Sequence, residues 1–247
     1  MSRRKLWNKI RYSIIEEKNK REIVLLRGRG CAWHHCRFCD YHLDSSFDKT
    51  DNFNQNKAVL LAVTGIYQKL EVINSGSFVD LDENTLDLIL KIAVDTHITQ
   101  IHFESHWMYR EAIGPLRKRF LEKNIKLKFK VGVETFDTLF RESYLMKGID
   151  TDSPAKIAQY FDEVCLLQGL PGQSVASMEA DIQTGLNYFE RVCVNIMQAN
   201  SMPVKPDPNV IEAFTKIVYP HYINNERVDI LMENTDFGVG GRRGNVK

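Results

Sequence analysis

The chain has 247 residues, with 33 Lys or Arg against 32 Asp or Glu, so its formal net charge is only +1. Hydrophobic residues make up 43% and charged residues 26% of it, which excludes a disordered chain and allows a sizeable core. No apolar run approaches the ~20 residues of a membrane helix, and no signal peptide is evident, so we expect a cytoplasmic protein without membrane contacts. The near-neutral charge also disfavours extended nucleic-acid binding.

The first 21 residues are an exception to this charge balance, since they hold eight Lys or Arg against two Glu. Trp7, Ile10, Ile14 and Ile15 recur within them at close to helical spacing. The pattern predicts an amphipathic cap helix over 1–21, with these four side chains buried and the basic face in solvent.

From residue 22 onward, short apolar runs alternate with amphipathic segments, which is typical of parallel strands linked by crossover helices. We count six or seven units, too few for a closed eight-unit barrel. An α/β fold with a partial, open (β/α)6 TIM-like barrel is therefore predicted, with a doubly wound sheet as the alternative. One domain is expected, with its core barrel over 22–200 and a C-terminal extension over 201–247 on the substrate side. The predicted strands are 23–26, 70–73, 98–103, 127–133, 163–167, 192–197 and 228–232, and the predicted helices are 57–69, 82–94 with Asp82 as N-cap, 109–122, 135–147, 175–189 and 211–218.

Three of the five cysteines, Cys31, Cys36 and Cys39, lie within nine residues directly after the first predicted strand. Their odd number and clustering favour a metal or redox site over a disulfide framework. The other two, Cys165 and Cys193, lie inside apolar runs and are expected to be buried small hydrophobic residues.

Two ordinary kinds of site compete for the cysteine loop. Structural zinc needs a fourth ligand, which His34, His35 or His42 could supply, so a zinc-binding nucleic-acid or interaction module stays an alternative. A thioredoxin-like pair of Cys36 and Cys39 would leave the first cysteine unexplained. An iron–sulfur cubane held by three cysteines would instead leave its fourth iron free to bind another group.

Further motifs occur where the predicted strands end, which is the active face of a parallel α/β fold. Each has a plain structural explanation alone, since Gly-Leu-Pro-Gly is often a turn and Glu134 could interact with a helix dipole. Their occurrence in strand order beside the cysteines points to one common site. The motifs are "INSGSF" at 73–78, "FESH" at 103–106, "VGVETFD" at 131–137 and "LLQGLPGQS" at 166–174.

With these motifs, residues 23–200 resemble the radical SAM superfamily, although that family commonly has Cys-x3-Cys-x2-Cys and this chain has Cys-x4-Cys-x2-Cys. The resemblance implies a 4Fe–4S cluster on Cys31, Cys36 and Cys39, with S-adenosylmethionine (SAM) on the open iron. It also implies a 5′-deoxyadenosyl radical and an external electron donor of the flavodoxin or ferredoxin type. The residues that it implies for SAM binding are Phe38, Asn74, Ser75, Gly76, Ser77, Glu104, Glu134, Lys147, Gly169 and Leu170.

The whole chain, especially "LRGRGCAWHHCRFCDYHLD" and "EVINSGSFVD", is most similar to the small queuine lyase group of this superfamily. Members of that group cleave a C–N bond of queuine and release 7-aminomethyl-7-deazaguanine (preQ1). The resemblance implies a small-molecule substrate, a 7-deazaguanine base, rather than tRNA. A radical SAM enzyme of the archaeosine-forming type, which acts on a deazaguanine within tRNA, is the alternative.

A guanine-like base presents adjacent N–H donors, which a carboxylate can accept in bidentate fashion. Glu233 and Asp236, after the last predicted strand, are the first candidates for this contact. Asp80 and His106 are the next candidates. No catalytic acid or base is assigned from the sequence.

Overall fold

The apolar runs of the sequence form one sheet of eight strands in the computed structural model, which describes residues 9–241. The strands are β1 Tyr12–Ile15, β2 Arg21–Leu26, β3 Lys69–Asn74, β4 Gln100–Glu104, β5 Lys126–Glu134, β6 Glu163–Gln168, β7 Arg191–Ile196 and β8 Val228–Leu231. The helices are α1 Lys49–Leu60, α2 Glu83–Asp95, α3 Arg110–Leu121, α4 Pro154–Ala158, α5 Val175–Tyr188, α6 Pro208–Ala213 and α7 Tyr219–Tyr222. Short 3-10 turns occupy Tyr41–Asp44, Phe78–Asp80 and Trp107–Tyr109, and π-helical turns occupy Phe140–Tyr144 and Phe214–Val218.

The strands lie side by side in chain order, with β2 to β8 parallel and β1 antiparallel to β2. The sheet curls into an open half-barrel, which confirms the predicted partial α/β barrel. Since the parallel strands run the same way, the loops after their carboxyl ends all gather at one rim. Among the described residues, no helix is both long and apolar enough to cross a membrane.

The main apolar core fills the layer between the sheet and its outer helices. Val72, Phe129 and Val164, from three different strands, are fully buried in this layer. The carboxyl rim and the inner face of the half-barrel are thereby left to other side chains, many of them polar.

The predicted cap helix over 1–21 is wrong in its described part, because Tyr12–Ile15 is a strand on the edge of β2. Ile14 and Ile15 are β-branched and suit an extended backbone, and β2 offers them hydrogen-bonding partners that a separate helix would not use. The Tyr12 hydroxyl also donates to Glu22 at 2.8 Å. Trp7, part of the predicted apolar stripe, lies outside the described residues.

Helix α1 begins and ends earlier than the predicted helix 57–69. Most of the side chains that α1 buries are polar, so an apolar pattern does not reveal its position. Asp48 caps it by accepting from the Asp51 amide at 3.0 Å. Asn56, fully buried on its inner face, accepts from the Arg27 amide at 2.8 Å and donates to the Arg27 carbonyl at 2.9 Å. An apolar 3.6-residue period is therefore absent from the segment.

Two further segments differ from the prediction. The predicted helix 135–147 is reduced to a short turn around Phe140–Tyr144, since the chain must bend back to bring Lys147 to the rim. The strand predicted over 228–232 forms as β8, but it pairs with β7 and gives the barrel seven parallel strands rather than the six of a (β/α)6 barrel. Ile10 then exchanges two 2.8 Å backbone hydrogen bonds with Gly240 and Gly241.

The predicted N-cap of α2 is confirmed and can be tested by substitution. Asp82 accepts hydrogen bonds from the Thr85 amide at 2.9 Å and from the Thr85 hydroxyl at 2.7 Å. We expect Asp82→Ala to lower the free energy of unfolding by about 1 kcal/mol, because the first turn loses its acceptor. Chemical denaturation measures the change, and Asp82→Asn, which keeps an acceptor oxygen, should lose less. Equal losses in the two variants would contradict the capping role.

Candidate active site

The three clustered cysteines lie on the loop after β2 and face one cleft at the carboxyl rim. All three are free thiols, partly buried, and line a cavity of about 1070 Å³ including its open mouth. Burial raises the pKa of the Cys36 thiol and raises that of Cys39 to about 12. Because metals bind thiolates, loading this loop with metal would release protons.

Backbone hydrogen bonds from distant segments fix the course of the cysteine loop. The Arg37 amide donates to the Leu145 carbonyl at 3.0 Å, and the Arg37 carbonyl accepts from Val204 at 3.0 Å. The Asn200 side chain donates to the Phe38 carbonyl at 2.7 Å. The loop is therefore held from both sides between its second and third cysteines.

Trp33, between the first two cysteines, ties the loop to the segment that carries Lys147. Its indole N–H donates to the Met146 carbonyl at 2.8 Å, and its ring stacks on His106 with 5.5 Å between centroids. Gly148 has a φ of +75°, and a Cβ there would lie 2.2 Å from the Trp33 ring. A glycine is needed here both for the conformation and for the close approach.

Lys147 and Glu134 form an ion pair in the same cleft as the cysteines. The Lys147 ammonium lies 2.7 Å from the Glu134 carboxylate and 5.6 Å from the Phe38 ring centroid. Burial opposes the charge of Lys147, but the attraction of Glu134 outweighs it and raises the pKa of this lysine. Glu134 has a φ of +70° beside a register shift in β5, a costly conformation that turns its side chain into the cleft.

The turn Ser75–Ser77 after β3 brings backbone groups to the same cleft. Asp80 closes this turn by accepting from the Ser77 amide at 2.7 Å, and it also bonds Arg29 at 3.2 Å. A Cβ on Gly76 would lie 2.3 Å from the Asp80 carboxylate and 3.1 Å from the Cys31 amide. The turn is thus packed directly against the start of the cysteine loop.

A second cavity of about 1250 Å³ fills the barrel lumen next to the first. Apolar residues from the strands and from the C-terminal segment, among them Ile73, Leu231 and Phe237, form part of its wall. The two cavities share a wall. The residues that line both are Asp40, Tyr41, Asn74, Ser75, Glu104, Lys130, Cys165, Asn195 and Asn234.

Buried charges cross the lumen between neighbouring strands. Glu71 accepts from Arg21 and from Lys130, each at 2.5 Å, and its side chain is only 2% exposed. Burial disfavours the Glu71 carboxylate, but the two cations hold its pKa well below the usual range. Glu104 lies 3.3 Å from the same Lys130 ammonium, and its side chain is 32% exposed toward the cavities.

Most of the residues predicted to bind SAM meet in the first cavity, but two do not. Gly169 and Leu170 line neither cavity, so their contact with SAM stays a prediction from the resemblance. Leu170 is fully buried in a small apolar cluster that packs behind Phe38, and Gly169 is packed against Ile211. The predicted residues that do line the first cavity are Phe38, Asn74, Ser75, Gly76, Ser77, Glu104, Glu134 and Lys147.

Of the residues predicted to bind the substrate, only His106 lines one of the two cavities, and the role of all four stays a prediction. Glu233 and Asp236 are exposed and line neither cavity, because the Asp236 carboxylate turns back to accept from the Glu233 amide at 2.9 Å. Asp80 is used within its own turn and lines neither cavity. His106 lines the first cavity only, where its Nε2 lies 2.8 Å from the Lys147 carbonyl and burial lowers its pKa to about 4.

The sequence analysis missed several polar residues of the lumen. Lys130, Asn195 and Asn234 line both cavities. For Lys130 and Asn195 a signal was available, since each lies between two buried apolar residues of its strand and alternation therefore directs it to the opposite, inner face. For Asn234 no such signal was available, because it lies in an irregular segment after β8, where side chains do not alternate.

A single metal ion does not fit the cysteine loop. Across residues 9–241, no three His, Cys, Asp or Glu side chains are close enough to hold one. A tetrahedral zinc site would bring its sulfurs to about 3.8 Å from one another, given Zn–S bonds of ~2.3 Å. Three free thiols that share one cleft without this tight grouping suit a larger cluster, in which each cysteine ligates a separate iron.

The close packing of Gly148 on Trp33 gives a test of how the loop is held. We expect Gly148→Ala to lower the free energy of unfolding by about 1–3 kcal/mol, because the methyl group needs a strained φ and displaces the indole ring. Gly114→Ala in α3 is the matched control. Nothing lies within 4 Å of a Cβ there, so it should be neutral or stabilising. Equal stability of the two variants in urea would show that the close contact of Gly148 with Trp33 does not hold the loop.

No protein-family model matches the chain, and no curated protein matches it either. Among solved structures, it is similar to a queuine lyase from Clostridium spiroforme bound to SAM and queuine, with 40% sequence identity and a TM-score of 0.90. The match covers 94% of this chain and 100% of that one. Identity at this level over almost the whole chain establishes the family. The chain belongs to the queuine lyase family of radical SAM enzymes.

Proposed function

We propose that this protein cleaves the C–N bond between the amine of queuine and its cyclopentenediol, releasing preQ1. The observation that carries the proposal is the shared wall between the cysteine-lined cleft and the polar lumen cavity. A cofactor in the first cavity and a substrate in the second would meet at that wall. The queuine-bound and SAM-bound relative supports the same pair of ligands.

Cys31, Cys36 and Cys39 would hold a 4Fe–4S cluster at the mouth of the first cavity. Their free thiols and their joint exposure to one cleft fit three irons and leave the fourth open. The cluster and SAM, when bound, supply a 5′-deoxyadenosyl radical that abstracts a hydrogen atom from the substrate, after reduction by an external donor of the flavodoxin or ferredoxin type. The protein holds these groups in place and limits the access of water.

The walls of the first cavity present groups that complement SAM. The Lys147 ammonium can bind a carboxylate, and Glu134 can accept from ribose hydroxyls while still bonded to Lys147. The backbone of the turn Ser75–Ser77, locked by Asp80, can accept from an ammonium group. Phe38 offers an aromatic face beside the third cysteine.

The lumen cavity suits a free deazaguanine base better than a nucleotide in tRNA. Its apolar wall can pack on a heterocycle, and the amides of Asn195 and Asn234 can bond the polar edge. The C-terminal segment, through Phe237 and Val239, covers one side of it. A small molecule would therefore be enclosed, whereas a base attached to tRNA would need this cover to open.

The decisive test combines cluster content with product analysis. Anaerobically reconstituted protein should contain about four iron and four sulfide per chain, as a cubane requires. With SAM, dithionite and queuine, it should form preQ1 and 5′-deoxyadenosine, detected by mass spectrometry. A colourless zinc protein, or SAM cleavage with no preQ1, would overturn the proposal.

Cysteine variants sharpen this test. Cys36→Ser should lose most of the iron, because one of three ligands is removed. Cys193→Ser changes the same atoms on β7, away from the first cavity, and should keep the full iron content. Loss of iron in both variants would indicate a folding defect rather than loss of a ligand.

A further inference from the structure

The residues on the shared wall are those that a reacting bond would touch. If the radical forms in the first cavity and the substrate lies in the second, the breaking C–N bond has to lie between them. Two carboxylates, Asp40 and Glu104, line both cavities, together with one cation, Lys130. The nitrogen of that bond is a secondary alkylamine, which is protonated and cationic at neutral pH.

Glu104 has the geometry to receive a cation from the cavities. It is the last residue of β4, paired in register with Lys130 of β5, so its backbone is fixed by the sheet. Its carboxylate faces the cavities with 32% of the side chain exposed, while Glu71 is enclosed at 2%. Of the two glutamates that share Lys130, only Glu104 is open to a ligand.

The charges around Glu104 leave it incompletely neutralised. The Lys130 ammonium lies 2.5 Å from the Glu71 carboxylate but 3.3 Å from that of Glu104. Glu71 also forms an ion pair with Arg21. In the described part of the chain, no second cation lies within salt-bridge distance of Glu104. Burial raises the pKa of Glu104, so its ionised form gains from any further positive charge nearby.

Asp40 is the less suitable of the two carboxylates. It lies on the loop directly after Cys39 rather than on a strand, and its carboxylate is approached by the Ser201 hydroxyl at 3.5 Å. A strand-end group holds a ligand with better precision than a loop group.

We propose that Glu104, which the family resemblance assigned to SAM, instead binds the protonated amine of queuine and thereby places the nitrogen of the breaking C–N bond on the wall between the two cavities. This inference rests on the proposed function and adds to it a charge-based selection. Substrates and products that carry an ammonium group next to the deazaguanine ring bind more tightly than neutral analogues of the same shape.

The test measures binding of two ligands to the cluster-reconstituted protein saturated with SAM. The probes are preQ1, which carries the ammonium group, and 7-hydroxymethyl-7-deazaguanine, its neutral analogue. Wild-type protein is expected to bind preQ1 more tightly by about 10-fold or more, as for a charge-assisted hydrogen bond. Glu104→Gln is expected to lose this preference by weakening preQ1 only, with the affinities for SAM and for the neutral analogue unchanged.

Matched variants assign the effect to one carboxylate. Glu122→Gln makes the same chemical change at an exposed site that lines neither cavity, and should keep the full preference. Glu104→Asp keeps the charge on a shorter side chain and should keep part of the preference. If Asp40→Asn rather than Glu104→Gln abolishes the preference, the assignment is overturned.

The remaining outcomes are also decisive. A wild-type protein that binds the two probes equally overturns the inference without any variant, even if Glu104→Gln does not fold. Loss of SAM affinity in Glu104→Gln with preQ1 affinity intact would move Glu104 to the cofactor site. If neither probe nor queuine binds the wild-type protein, the proposed function itself has failed, which is a different result.

Discussion

A row of charged side chains keeps the inside of this half-barrel open and polar. It runs from Arg21 through Glu71 and Lys130 to Glu104. It links four neighbouring strands, β2 to β5, through side chains that point into the lumen. An apolar set of residues at these positions would pack into a solid interior, as barrel interiors usually do. Charged groups resist that packing because each must keep its partners, and a buried pair is costly to desolvate. The open lumen therefore follows from a set of side chains that are unfavourable for stability alone.

Two loops then depend on this frame for their position. The cysteine loop after β2 and the segment around Lys147 are far apart in sequence, yet they meet through Trp33, Met146 and Gly148. The ion pair between Lys147 and Glu134 fixes the second loop to β5. A group bound by the cysteines and a group bound by Lys147 would thus share one rigid support. Such coupling is what a site needs when two ligands must react at a defined separation.

Much of this fold could be predicted from the sequence, because short apolar runs such as Ile23–Leu26, alternating with amphipathic segments, indicate buried parallel strands. Helix α1 could not, since Asn52 and Asn56 on its buried face bond the backbone and side chain of Arg27 and leave no apolar period. The short strand at Tyr12–Ile15 could not be predicted either, because it forms only by pairing with β2. Local pattern carries little information where a distant partner decides the structure.

The same distinction applies to the site. The cysteines and Glu134 could be found because a motif places them at a strand end. Glu233 and Asp236 follow the last strand, but the Asp236 carboxylate accepts from the Glu233 amide and neither residue lines the lumen cavity. Lys130 was missed because a lysine in a strand is usually solvated. Here its ammonium group binds Glu71, which lies on a strand remote in sequence. The direction of a side chain, rather than its position along the chain, decides whether it reaches the site.

The hydrogen bonds of Ile10 with Gly240 and Gly241 have a consequence for how the protein is made. They join the two ends of the described chain across the open edge of the sheet, and Val239 and Gly240 also line the lumen cavity. During synthesis, Ile10 cannot form these hydrogen bonds until Gly240 and Gly241 have left the ribosome. The central strands can pair earlier, since each contacts its neighbour in sequence order. The nascent barrel would therefore expose its charged interior to water until the segment 237–240 emerges and covers the lumen cavity.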